Sequence, residues 1–141
     1  MSMHTRADAS LIQMGWCKAF LGFSPSGQII ANVWSSSNIT ISALGPQIQT
    51  TPFWTHIVQT WSSTNGLRLY INNYLYTSVS NATTYLGSGS QNYATLGTVL
   101  NGTSCSAGQI QSTSQYFGDI DDFRIFSREL TSTDICELAN L

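Results

Sequence analysis

Trp54-Thr55-His56-Ile57-Val58-Gln59-Thr60-Trp61, followed after Ser62-Ser63-Thr64-Asn65-Gly66 by Leu67-Arg68-Leu69-Tyr70-Ile71-Asn72-Asn73, decides the fold. Both arms are rich in β-branched and aromatic residues. Asn65-Gly66 supplies the positive φ that a tight turn needs, so the stretch predicts one long antiparallel hairpin. A register with Trp61 opposite Arg68 sets Gln59 against Tyr70 and Ile57 against Asn72. Beyond the second arm, Asn72-Asn73 separates Tyr70-Ile71 from Tyr74-Leu75-Tyr76. Asparagine tolerates left-handed backbone, which predicts a two-residue type I′ turn there.

Outward from this hairpin, the chain reads as short strands broken by turn residues. Residues 1–10 are polar and unpatterned and are expected to be a frayed start. Residues 11–23 are strand material, Pro25-Ser26-Gly27 turns the chain, and Gln28–Trp34 and Ile39–Ala43 follow as strands. Gly45-Pro46 is expected to end that run, and Pro52 marks the entry to the hairpin. Asn92–Leu100 is a further strand and 101–115 a Gly/Ser/Gln-rich loop around Cys105. Tyr116–Phe126 is expected to be the closing strand. Thr131 opens the one helical pattern: Thr131 and Asp134 have capping-box spacing, and Ile135, Leu138 and Ala139 share a face. Many short strands and one terminal helix predict an all-β, two-sheet antiparallel sandwich with a short C-terminal helix.

Trp54, His56, Thr60-Trp61 and Gly66-Leu67 with Leu69-Tyr70-Ile71 resemble the hairpin of laminin-G-like jelly rolls, in the concanavalin A-like lectin/glucanase superfamily. Phe117-Gly118-Asp119-Ile120-Asp121-Asp122-Phe123-Arg124-Ile125-Phe126-Ser127-Arg128-Glu129-Leu130-Thr131 resembles the closing strand of that family and the start of its helix. The resemblance covers residues 11–141 and implies a jelly roll. It also implies a non-catalytic extracellular module that recognises glycans or glycosylated proteins. Two alternatives stand beside it: a protein–protein adhesion module using a sheet edge or apolar patch, and a degraded glycoside hydrolase, because the fold hosts all three. Family members usually carry strands before the position of Leu11. Their absence here implies an N-terminally truncated domain whose unpaired edges invite a partner or a second copy.

A chain of 141 residues suits one domain. Only 9% of it is charged and the formal net charge is −2. Ser, Thr and Asn make up about a third, well above ordinary usage. Nothing in that balance tracks a phosphate backbone, which argues against nucleic acid. No apolar run is long enough to insert in a membrane, and Met1-Ser2-Met3-His4-Thr5-Arg6 is not a secretory signal. Sequons at Asn38, Asn81 and Asn101 fit a glycoprotein, expected outside the cell as part of a longer protein. Cys17, Cys105 and Cys136 allow at most one internal disulfide; the other reading is three buried thiols.

The candidate chemistry is sparse. Asp119 and Asp121 fall two apart on the expected closing strand and so share a face. Phe123 and Ile125 follow on it, so the paired carboxylates of a glycosidase are not completed and no enzyme is expected. Asp119, Asp121 and Asp122 form the one local carboxylate cluster. They are candidate Ca²⁺ ligands, or else acceptors for backbone amides and Arg124. His56 alternates with Val58 and Thr60 and is expected inward as a buried imidazole. On the opposite face the expected register gathers Gln59, Trp61, Arg68 and Tyr70. Two rings, an amide and a guanidinium would suit a sugar; the other reading is a Trp–Arg stack on an ordinary sheet. Tyr74, Tyr76, Tyr85 and Tyr93 fall near strand ends or loops, where recognition residues often sit.

Overall fold

In the computed structural model, the residues described are 3–7, 17–37, 39–48, 54–87, 92–97, 108–110 and 116–140, with backbone alone described at 3–7, 17, 92 and 93. Among these residues, eight strands and one helix form in order: β1 Met3–Ala7, β2 Cys17–Phe23, β3 Gln28–Trp34, β4 Thr40–Gln47, β5 Ile57–Ser62, β6 Gly66–Ile71, β7 Tyr74–Val79, β8 Asn92–Leu96 and α1 Ser132–Ala139. They make two antiparallel sheets, one ordered β4-β3-β2-β1-β8 and the other β5-β6-β7. The expected two-sheet sandwich is therefore present.

The core lies between the sheets. Leu21, Ile29, Ala31, Val33 and Ala43 of the larger sheet meet Leu67 and Leu69 of the smaller. Each large aliphatic side chain so buried contributes about 1.5–3 kcal/mol of transfer free energy. β3 is buried on both faces, which suits its nearly continuous apolar sequence. On its other face Ile30 packs with Ala19 and Ile110, and Trp34 meets Phe20 edge-on at 6.1 Å. Lys18 Nζ stands 4.7 Å over the Trp34 ring.

Turn chemistry decides the hairpins. Gly27, at φ 82°, closes the Pro25-Ser26 turn with its N–H donating to the Ser24 carbonyl at 3.0 Å. Asn72 and Asn73, at φ 48° and 71°, make the two-residue turn between β6 and β7. Thr131 caps α1 in a reciprocal box with Asp134.

Four expectations change. Residues 1–10 are not wholly frayed: Met3–Ala7 forms β1, paired with β2 on one side and β8 on the other. A polar sequence can hold a central position because ladder hydrogen bonds come from the backbone. β4 runs through Gly45-Pro46 to Gln47, with a register irregularity between Gln28 and Ile30 opposite. It is an edge strand, where proline's missing N–H is tolerated. Gly45 also lets the sheets meet, since a Cβ there would lie 2.1 Å from Ile29 Cγ2 and 2.9 Å from Leu69 Cδ2. Residues 116–126 form no strand; they are largely exposed and outside either ladder.

The fourth change is the hairpin register. Ser62 pairs with Gly66, so the loop is Ser63-Thr64-Asn65, and the ladder continues Trp61–Leu67, Thr60–Arg68, Gln59–Leu69, Val58–Tyr70 and Ile57–Ile71. Gly66 alone supplies the positive φ, at 71°, and a Cβ on it would lie 2.2 Å from the Val79 carbonyl.

Candidate functional site

The register redistributes the expected sugar-binding patch. Side chains alternate across a strand, so a slip of one residue exchanges faces. Gln59 and Trp61 point into the sandwich beside Leu67 and Leu69. Arg68 and Tyr70 lie on the opposite face, across from Thr60 and Val58. Tyr70 and Val58 are buried there under Leu130, Ile135 and Leu138. Gln59, Trp61, Arg68 and Tyr70 therefore do not form one surface. Arg68 instead fastens the chain end: its Nη2 donates to Asn65 Oδ1 at 3.2 Å, and Asn65 Nδ2 donates to Glu129 Oε2 at 2.8 Å.

His56 stands at the head of β5, half-buried. Its backbone N–H donates to Asn72 Oδ1 at 3.0 Å, and its carbonyl accepts from the Asn72 N–H at 2.8 Å. The ring Nδ1 is buried with no partner. Burial holds its pKa below the ordinary value, against the opposing pull of Asp122.

The three aspartates do not converge. Asp122 Oδ1 accepts from Arg124 Nε at 2.7 Å, and Asp121 Oδ1 accepts from the Asp122 N–H at 2.9 Å. Asp122 sits at φ 51°, in the left-handed region, so strand alternation does not continue through it. Among the described residues no group of three or more His, Cys, Asp or Glu gathers as a metal site. The cluster does not fit the 6–8 oxygens that Ca²⁺ requires. Cys136 is an exposed thiol with no disulfide among the described residues; Cys17 and Cys105 have no described side chains. Asn81 is exposed in a turn, while Asn38 and Asn101 lie outside the described residues.

A different constellation forms at one end of the sandwich. Trp61, at the end of β5, directs its indole Nε1–H to the Ala82 carbonyl at 2.6 Å. The Tyr85 ring lies 5.7 Å from the Trp61 ring, tilted by 48°. The loop carrying Tyr85 is fixed to the β3–β4 loop: the Leu86 N–H donates to the Trp34 carbonyl at 2.8 Å, and the Ser36 N–H to Thr84 Oγ1 at 3.2 Å. Ser36, Ser37, Thr83 and Thr84 are exposed around this ring pair. A half-exposed aromatic surface bordered by hydroxyls, on loops tied to the sheet, can stack on a sugar face and bond its hydroxyls. Sequence reasoning placed Tyr85 in a loop but did not join it to Trp61. The joining hydrogen bonds run from loop backbone and leave no periodic trace. Tyr74 and Tyr76 are exposed at the far end of the smaller sheet, away from Trp61; the side chain of Tyr93 is outside those described.

A family model, Laminin_G_3, described as concanavalin A-like lectin/glucanases superfamily, matches residues 4–136. That match begins inside β1 and takes in the hairpin and the first five residues of α1. No curated protein is a significant match. Among solved structures, the chain is similar to an S-layer domain-containing protein (residues 221–444) from Clostridium thermocellum, at 24% identity and a TM-score of 0.47, over 85% of this chain and 61% of that one. The chain thus spans less than two thirds of that structure. No helix among the described residues is long and apolar enough to cross a membrane.

Proposed function

The chain belongs to the concanavalin A-like lectin/glucanases superfamily, and on that premise we propose that it is a non-catalytic recognition module acting outside the cell, with a glycan or glycosylated protein as its ligand. The observation that carries this reading is the Trp61–Tyr85 ring pair on hydrogen-bonded loops. Trp61 is anchored by its indole N–H, so Tyr85 presents a pre-positioned face and little side-chain entropy is lost on binding. Ser36, Ser37, Thr83 and Thr84 supply the neutral donors and acceptors that hydroxyl groups require. The low charge of the chain agrees with a ligand held without ion pairs.

Non-catalytic action is supported by the scattering of Asp119, Asp121 and Asp122, since glycoside hydrolysis needs two carboxyls facing one sugar. The test is a glycan array followed by titration of the best ligand. Tyr85→Ala should weaken binding about tenfold, the worth of one stacking ring at roughly 1–2 kcal/mol, with an unchanged melting temperature. Undiminished binding by a folded Tyr85→Ala variant would sink this site. Release of reducing sugar from β-glucans would sink the non-catalytic reading.

A further inference from the structure

Residues 117–126 run from an anchor just after β8 to one at the β5–β6 loop; β8 is the edge of one sheet and β5 the edge of the other. Packing between the sheets joins β4 to β6 and β7, and β3 to β6. β5 reaches across to β3 through Gln59. Among the described residues the smaller sheet has no strand beyond β5. The segment is held at both ends. The Tyr116 N–H donates to the Gly97 carbonyl at 2.8 Å, and the Tyr116 ring stacks on Phe23 at 6.0 Å and 8°. At the other end Glu129 is gripped by Asn65.

Between those anchors the backbone is in no helix, turn or ladder among the described residues. Its apolar side chains face solvent: Phe117 is 89% and Ile125 72% exposed, with Ile120, Phe123 and Phe126 exposed as well. Monomeric proteins seldom leave such a strip uncovered, and a segment held at its ends with its backbone in no ladder can accept an added strand. The bend at Asp122 kinks it, as a bulge kinks an edge strand.

Charge selects the occupant. Asp119, Asp121 and Asp122 stand against one cation, Arg124, which is already paired to Asp122. Asp119 and Asp121 are exposed and make no ion pair among the described residues. A second copy would bring the same excess of negative charge against the strip, whereas a basic strand complements it. We propose that residues 117–126 are a strand-addition site for an extended segment of a partner protein that alternates apolar residues with lysine or arginine. This surface is separate from the Tyr85 site, so the two readings stand or fall apart.

The experiment titrates the full chain with fluorescent decapeptides of alternating lysine and valine, of alternating glutamate and valine, and of the lysine series interrupted by two prolines. The lysine peptide should bind at least tenfold more tightly than either of the others and should slow amide exchange across 117–126. Ile125→Asn should weaken it about tenfold without lowering the melting temperature, because Ile125 supports little of the fold. Asp119→Asn with Asp121→Asn should narrow the preference for lysine over glutamate. Absence of lysine-peptide binding overturns the proposal, as does equal binding of the acidic peptide. Slow exchange at 117–126 in the free protein also overturns it, since the strip would then be filled from within the chain. So does self-association abolished by Ile125→Asn, which would make a second copy the occupant.

Discussion

Gln59 on β5 and Asn32 on β3 are joined across the sandwich: the Gln59 side-chain amide donates to the Asn32 carbonyl at 2.9 Å. A residue expected to meet a ligand is thus a tie between sheets. Asn32 carries more of the same network, its Nδ2 donating to the Ala19 carbonyl and its Oδ1 accepting from Ser42 Oγ. Gln59 Oε1 is buried and has no partner among the described residues, so the tie rests on its donated bond, and polar bonds at such depth specify how the layers meet.

Gln59→Glu keeps the shape of that tie and removes its donor. A carboxylate oxygen would then face a carbonyl oxygen in a water-poor setting. The expected loss is about 2–4 kcal/mol of unfolding free energy at neutral pH, read from urea denaturation. A loss below about 0.5 kcal/mol would show that Gln59 is not held in the core.

Gly45 and Gly66 are expected to tolerate no side chain, for different reasons. Gly45→Ala would push a methyl group into Ile29 and Leu69 and should cost about 1–3 kcal/mol. Ile29→Ala in the same chain should recover part of that cost. Gly66→Ala meets backbone, the Val79 carbonyl, at a positive φ, so a neighbouring truncation should rescue nothing. Thermal melts of the single and double variants distinguish the two.

Acid should unfold the protein in two stages. His56 is held below its ordinary pKa of 6.5 by burial. As pH falls through 6.5 the unfolded chain takes up the proton first, so stability declines. Asp134 is held well below its ordinary 3.8 by the hydrogen bond from Arg128 and those of Thr131. Its contribution is present above 3.8 and fades as pH falls beneath that value. His56→Gln should flatten the upper limb of the melting temperature against pH and leave the lower one. Asp134→Asn should do the reverse.

Calcium should not change the melting temperature. Asp122 is committed to Arg124 and Asp121 to a backbone amide, so an added ion finds no converging oxygens. Scanning calorimetry with calcium and with chelator checks this; a rise with calcium that Asp121→Asn abolishes would overturn it.

The elements read most directly from sequence are those decided by local chemistry. Asn72-Asn73 declared its turn because few residues accept two successive positive φ values. Thr131 and Asp134 declared the helix start through their spacing. Gln28–Trp34 declared itself by a nearly continuous apolar run. The hairpin register was not legible. Asn65-Gly66 marks a turn, yet whether two or three residues bridge the arms depends on Gly66 meeting Val79 on a third strand. That choice decided which of Trp61 and Tyr70 faced the core, and with it the site. β1 was hidden because Met3-His4-Thr5-Arg6-Ala7 has no apolar alternation. The missing ladder at 116–126 was hidden for the opposite reason: its alternation is strong, but pairing needs a neighbour that no local pattern reports.

The position of β1 sets an order of events as the chain folds. β2, β3 and β4 form a meander whose contacts are local and quick to close. β1 lies between β2 and β8, so one side of it can pair early, while the other waits for a strand some 90 residues further along. Loop closure over that span is entropically costly and comes late. On the ribosome, most of the chain must emerge before the larger sheet can be completed. Until then β1 presents an open edge, and crowding or slow synthesis in that interval favours misassociation over folding.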